Sequence, residues 1–155
     1  MAMTLKEELE ILRGEPIEVQ SVAPEDVPCI ETSDAEKLCR HPVVSVVMTT
    51  YNHEPYIRQA IEGVMMQQAD FEFELIVGED CSQDKTREIC FEYQKKYPNL
   101  FRLNLQEQNL GLIDNYKRVI SLCRGTYIAL IAGDDYWCDA MKLQKLRLKR
   151  NKEDN

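Results

Sequence analysis

Val43-Val44-Ser45-Val46-Val47-Met48-Thr49, followed at once by Thr50-Tyr51-Asn52-His53-Glu54, is the stretch on which the fold turns. The first part is rich in β-branched residues and suits a strand buried on both faces. The second part is polar, and Pro55 behind it suits the first turn of a helix. Ile57, Ile61, Val64 and Met65 then recur at helical spacing to about Gln67. The pattern repeats downstream. Phe73-Glu74-Leu75-Ile76-Val77 reads as a second strand, and Asp84 can cap a helix running to about Lys96, before Pro98. Residues 100–105 alternate like a third strand, 113–123 read as a helix, and 126–131 read as a fourth strand. Asp139 opens a last basic amphipathic helix carrying Met141, Leu143, Leu146 and Leu148. Strands alternating with helices of this length predict an α/β fold with a mostly parallel open sheet, right-handed crossovers and helices on both faces.

The remaining features bound the function. The chain has 155 residues, enough for one domain with a sizeable core. Hydrophobic residues make up 44% and charged residues 30%, a globular balance. A net charge of −8 argues against nucleic acid as a partner, because neutralising phosphates needs a basic face. No apolar run is long enough to span a membrane. The N-terminus, Met-Ala-Met-Thr-Leu-Lys-Glu-Glu, lacks the apolar centre of an export signal, so a cytoplasmic location is expected. Residues 1–41 read as an acidic leader, in which Leu5, Leu9 and Leu12 suggest one short helix ended by Gly14. Ser33-Asp34-Ala35-Glu36 has capping-box spacing and suggests one more turn. Six cysteines are present without a CxxC pair, and the only histidines are His41 and His53, so zinc-site spacing is absent. An even cysteine count leaves a disulfide framework formally open, but no export signal accompanies it. Cys90 and Cys123 are expected as small core residues.

In a parallel sheet the segments that follow the strands line one edge, and ligands bind there. Four such segments are polar: 49–54, 78–84, Asn109-Leu110-Gly111 and Gly133-Asp134-Asp135-Tyr136-Trp137. Two of them carry paired acids, which repel one another unless a cation or a donor-rich ligand is present. Hard oxygen ligands favour Mg2+ or Mn2+, which also coordinate phosphates. No P-loop and no GxGxxG follows the first strand. A cation-bridged diphosphate is therefore the better reading of this edge.

Residues 44–52 with Tyr56-Ile57 and Ala60-Ile61, the stretch 73–86, Asn109-x-Gly111 with Asn115, and 125–130 leading into Gly133-Asp134-Asp135-Tyr136-Trp137 together resemble family 2 glycosyltransferases over about residues 42–148. The resemblance implies a GT-A fold, a Rossmann-like nucleotide-binding sheet, occupying residues 42–155 and cut short before the acceptor-binding part. It implies that Thr50, Tyr51 and Asp80 hold the nucleobase, that Asn52 shapes that pocket, and that Gly111 and Asp134 belong to the nucleotide site. Asp134, with Asp135 beside it, would bind the divalent cation, Mn2+ or Mg2+, that bridges the donor diphosphate. An acid facing the base suits an N–H edge such as uracil, which favours a UDP-sugar. The implied reaction passes the sugar to a glycan, lipid-linked or polymer acceptor, as in cell-envelope polysaccharide biosynthesis.

Two departures qualify that expectation. The acid that usually opens the DxD region is Ala132 here. The resemblance also places the catalytic base of inverting members downstream of that region, so it is expected beyond Asn155 and no residue of this chain is assigned to it. The alternative is a non-catalytic nucleotide-binding or interaction module derived from such an enzyme. Blander roles attach to several neighbours. Asp84 reads as a helix cap, Ser82 as a turn former, His53 as an exposed loop residue, and Tyr136 and Trp137 as packing for the DxD loop. The basic final helix, with Lys142, Lys145, Arg147 and Lys149, reads as a solvated face; peripheral contact with an acidic membrane is the sharper alternative.

Overall fold

A computed structural model describes residues 28–153. Its elements, in order, are β1 (Cys29–Glu31), β2 (Val44–Thr50), α1 (Ile57–Met65), β3 (Phe73–Glu79), α2 (Thr86–Lys96), β4 (Phe101–Gln106), α3 (Leu112–Ser121), β5 (Tyr127–Ala132) and α4 (Lys142–Glu153). The four strands and four helices expected from residue 43 onward are all present. The suggested helix at residues 5–12 lies outside the described residues. The turn suggested at 33–36 forms with Asp34 as its capping side chain: Glu36 N–H donates to Asp34 Oδ1 at 3.1 Å.

The sheet order is β1-β4-β3-β2-β5. β2 pairs in parallel with β3 and β5, and β3 pairs in parallel with β4. The chain steps outward from β2 to β3 to β4, then returns to the other side of β2 as β5. The topological switch point therefore lies between β2 and β5. β1 was not anticipated. Residues 29–31, inside the stretch read as a leader, close the far edge antiparallel to β4. Three residues are too few to show alternation in a sequence.

The two faces of the sheet differ in chemistry. On one face Val46, Met48, Leu75, Val77, Phe101 and Leu103 form the main core with Ile57, Ile61 and Val64 of α1 and Ile89, Cys90 and Tyr93 of α2. Each fully buried aliphatic side chain there contributes about 2 kcal/mol, so α1 is held firmly beneath the loop that follows β2. Trp137 and Leu143 join this core. The other face packs only Val47 and Ile76 against Val119 of α3, with Tyr116, Leu122 and Cys123 at its margin. Gly78 makes this close approach workable. A Cβ there would sit 2.4 Å from Val119 Cγ2 and 2.5 Å from Asn115 Oδ1.

The rest of that second face is a buried polar network. Glu74 accepts from Ser45 Oγ at 2.6 Å, from Arg124 N at 3.0 Å and from Arg124 Nε at 2.9 Å. Arg102 makes two bonds to Glu31, at 2.7 and 2.8 Å, and approaches Glu74 at 3.4 Å. The Glu31–Arg102 pair thus ties β1 to β4 by a two-point contact that has a definite register. Burial alone would raise the Glu74 carboxyl, but the bonds from Ser45 and Arg124 and the Arg102 charge outweigh it and hold it below the usual range.

Two expectations need correction. The last helix does not bury the full apolar set read from its sequence. Leu143 is inside, while Met141, Leu146 and Leu148 are exposed; of the described apolar side chains of α4, Leu143 in the first turn joins the core, beside Gln67 and Trp137. Cys123 is half-buried beyond the end of α3 rather than on the helix, whereas Cys90 is buried as expected. All six cysteines are free thiols.

Candidate functional site

The ends of β2, β3 and β5 and the start of α3 meet at one edge. Thr50 closes β2, and its backbone O accepts from Asp80 N–H at 3.0 Å, just past β3. The Asp80 carboxylate is almost wholly buried. Its two oxygens accept from the N–H groups of Leu110, at 2.7 Å, and Gly111, at 2.9 Å. Gly111 stands at the N-terminus of α3 with φ +82°. Asp80 thereby binds the third polar segment to the second. Burial pushes the Asp80 carboxyl up, with the Glu79 charge adding to the rise and the Leu110 and Gly111 N–H groups opposing it. A desolvated carboxylate at a ligand edge is a recurring property of functional sites.

The loop after β2 is stapled to the loop after β3. Asn52 N–H donates to Ser82 Oγ at 2.9 Å, and Gln83 N–H donates to Asn52 Oδ1 at 2.8 Å. His53 N–H donates to Thr86 Oγ1 at 2.9 Å, and Glu54 N–H to Asp84 Oδ2 at 3.1 Å. Lys85 N–H returns a bond to Glu54 Oε2 at 3.1 Å. Asp84 also accepts from Thr86 N–H at 2.9 Å, at the first residue of α2, but stands one residue before the N-cap position, which Lys85 holds. Ser82 acts in the loop as an acceptor for Asn52, in keeping with a turn former. Asn52 and Cys81 both hold left-handed backbone angles, φ +54° and +62°. Such conformations cost non-glycine residues about 1 kcal/mol or more and gather where a loop is held for a purpose.

Glu79 was not singled out in the sequence, yet it underlies this loop. It is fully buried, receives Ser82 N–H at 2.7 Å and pairs with Arg87, which also donates to Gln106 O at 2.9 Å. Asn115 plays the matching part under α3, donating to Gly78 O at 2.9 Å and accepting from Gln106 at 3.2 Å. The paired acids Glu79-Asp80 signalled this place in the sequence. Nothing there showed that Glu79 faces Arg87 while Asp80 faces the loop at 109–111.

The loop after β5 completes the edge. Gly133 N–H donates to Thr49 O at 2.9 Å, which sets Asp134 beside the β2 loop. The Asp134 side chain is 52% exposed and lies 3.9 Å from His53 Nε2. Asp135 and Tyr51 are exposed, as is Tyr136, while Trp137 is buried against α1. His53 is not the exposed loop residue expected. Its side chain is 24% exposed, and Nδ1 lies 3.2 Å from Thr50 Oγ1. Thr50, Asp80 and Gly111 are thus linked through hydrogen bonds, Asn52 is tied to the neighbouring loop at Ser82 and Gln83, and Asp134 lies beside His53.

Among the described residues no group of three His, Cys, Asp or Glu side chains stands at metal-ligand spacing. Asp134 nevertheless presents an exposed, hard oxygen donor at the edge. A cation held by one or two protein groups and completed by phosphate oxygens and water is the usual manner of Mg2+. The residues present fit a cation held in that way. No helix among the described residues is long and apolar enough to cross a membrane.

A mostly parallel open sheet with its polar loops gathered at the switch point defines the chain as a Rossmann-like α/β protein of the GT-A type. The chain belongs to Glycosyl transferase family 2, whose profile matches residues 45–154. An uncharacterized protein of Mycobacterium tuberculosis is 46% identical over 102 residues, covering 66% of this chain and 30% of that protein. The putative teichuronic acid biosynthesis glycosyltransferase TuaG of Bacillus subtilis is 32% identical over 62% of this chain and 37% of its own length. The crystal structure of S. aureus TarS 1–349 in complex with UDP superposes with a TM-score of 0.60 at 28% identity, over 68% of this chain and 31% of that one. This chain therefore spans about a third of the length of these relatives.

Proposed function

We propose that this chain is the donor-binding part of a sugar transferase. In this reading it holds a nucleoside-diphosphate sugar at the switch-point edge, with the base against Thr50, Tyr51 and Asp80 and the diphosphate at Asp134. Asn52 and Gly111 shape the walls, and the sugar passes to a glycan or lipid-linked acceptor. The observation that carries the reading is Asp80. Its carboxylate is almost wholly buried and pushed up by that burial, each oxygen already accepts one backbone N–H, from Leu110 or Gly111, and the lone pairs left over suit an N–H donor from a ligand. Uracil presents such an N–H, and TarS, the relative crystallised with UDP, supports that choice.

Asp134 and Asp135 would hold a divalent cation there, Mn2+ or Mg2+. When bound, that ion supplies charge neutralisation to the departing diphosphate. The protein's own part is positional. Asp80 fixes the loop at 109–111, the Asn52–Ser82 staple fixes the β2 loop, and Gly133 brings Asp134 in beside them. Orientation of the donor by rigid loops is where such a site gains its rate. We place the start of the donor-binding unit at residue 42, with β1 lent to its edge by the leader.

Calorimetric titration with UDP, GDP and dTDP, with and without Mn2+, tests the reading. UDP binding that needs the cation and is lost in Asp134→Ala is expected. No binding of any of the three would refute it. A second reading, a nucleotide-binding module without transfer, is favoured by Ala132, which removes one acid from the usual set. Donor turnover by this chain, abolished by Asp134→Ala, would exclude that module.

A further inference from the structure

The geometry points to His53 as a direct ligand of the cation at this site, standing where the usual first acid of the DxD region is absent. The inference rests on the donor-site reading above and adds an imidazole ligand to the carboxylates assigned there.

Three observations converge. First, His53 Nε2 and Asp134 Oδ2 lie 3.9 Å apart, beyond hydrogen-bond range. Two ligands on adjacent octahedral positions, with bonds of about 2.1 Å, stand about 3 Å apart. The Asp134 side chain is half exposed and accepts no other bond among the described residues, so a rotation closing less than about 1 Å would bring both groups to one ion. Second, the imidazole is held from behind. Its Nδ1 is 3.2 Å from Thr50 Oγ1, and Thr50 is buried at the end of β2. With Nδ1–H donating to that oxygen, the Nε2 lone pair faces Asp134. A histidine whose second nitrogen is tied to a fixed partner is the usual arrangement in metal-bound histidines.

Third, residue 133 leaves room for this pair and for nothing larger. A Cβ on Gly133 would lie 2.8 Å from His53 Nδ1 and 2.6 Å from Thr50 Oγ1. The glycine lets the loop carrying Asp134 close onto the imidazole. Ala132 offers no donor atom, and the described residues hold no third acid at ligand spacing. A borderline nitrogen ligand on a site otherwise made of oxygens favours Mn2+ over Mg2+, since imidazole suits transition metals.

Pulsed electron paramagnetic resonance of the full chain with Mn2+ and UDP reads the ligand directly. Modulation from a directly coordinated imidazole nitrogen is expected in the wild type and lost in His53→Gln. Mn2+ affinity in the presence of UDP should fall about tenfold or more in that variant, with helix content by circular dichroism unchanged. His53→Asn serves as a second variant if Gln disturbs the fold. A Mn2+–UDP complex without nitrogen modulation, or with modulation that survives in His53→Gln, overturns this inference and leaves the donor-site reading intact. Failure of the wild type to form any Mn2+–UDP complex would refute the donor-site reading, and this inference with it.

Discussion

Glu74→Gln is the substitution that most directly probes what holds the polar face of the sheet together. Glu74 is fully buried between β2 and β4 and receives Ser45, Arg124 and Arg102. Gln keeps the shape, removes the charge and turns an NH2 group toward guanidinium donors. Breaking a buried ion pair by removing one partner costs about 3–5 kcal/mol. Two features reduce that cost here. Arg102 keeps its two bonds to Glu31. The Arg124 side chain is 36% exposed and can regain water. A loss of about 3 kcal/mol is expected, a large share of the stability of a domain this size. It corresponds to a fall in Tm of about 6–12 °C.

The same pair predicts a pH signature. The Glu74 carboxyl is held below its ordinary range in the folded protein. Its contribution is therefore complete above the unfolded carboxylate range and is lost as pH falls through the lower folded value. Urea unfolding of both proteins from pH 7 down to about pH 3 is the assay. The gap between them should be widest at pH 7 and should close on acidification. A gap under about 1 kcal/mol at pH 7, or one that stays constant with pH, would refute the reasoning.

Three further outcomes are expected. Gly133→Ala should weaken cation-dependent UDP binding by about tenfold or more, about 1.4 kcal/mol, by displacing Thr50 and His53; calorimetry alongside a thermal melt checks that the loss is local. Cys81 holds φ +62°, so Cys81→Gly should leave stability unchanged or raise it by up to about 1 kcal/mol, while Cys81→Val should lower it by about 1–2 kcal/mol; urea midpoints distinguish the two. Asp80→Ala removes the acceptor for Leu110 and Gly111 N–H, and should both abolish UDP binding and speed hydrogen exchange at those two amides.

Periodicity made most of the sheet legible. Val43 to Thr49 suited a buried strand, and Leu100 to Leu105 alternated like one. The partners on the polar face could not be read. Glu74 and Arg102 sit 28 residues apart and Arg124 lies 50 from Glu74, and only the strand register brings them together. β1 escaped notice for the same reason, since Glu31 is placed by Arg102 rather than by local pattern. The loops were visible as polar strand ends, and Asp80, Asp134 and Asn52 lie in the loops that follow β3, β5 and β2. His53 was misjudged because its surroundings are supplied by Gly133 and Asp134, 80 residues later. Cys81 occupies a left-handed position that its side chain gives no sign of.

The most direct test of the account is a titration of the isotope-labelled chain with UDP and Mg2+, followed by backbone amide shifts. The largest shifts are expected on residues 50–53, 80, 109–111 and 133–135, and they should shrink when Mg2+ is removed. Shifts absent at millimolar UDP, or gathered on α4 or on the β1 edge instead, would contradict the donor-site reading.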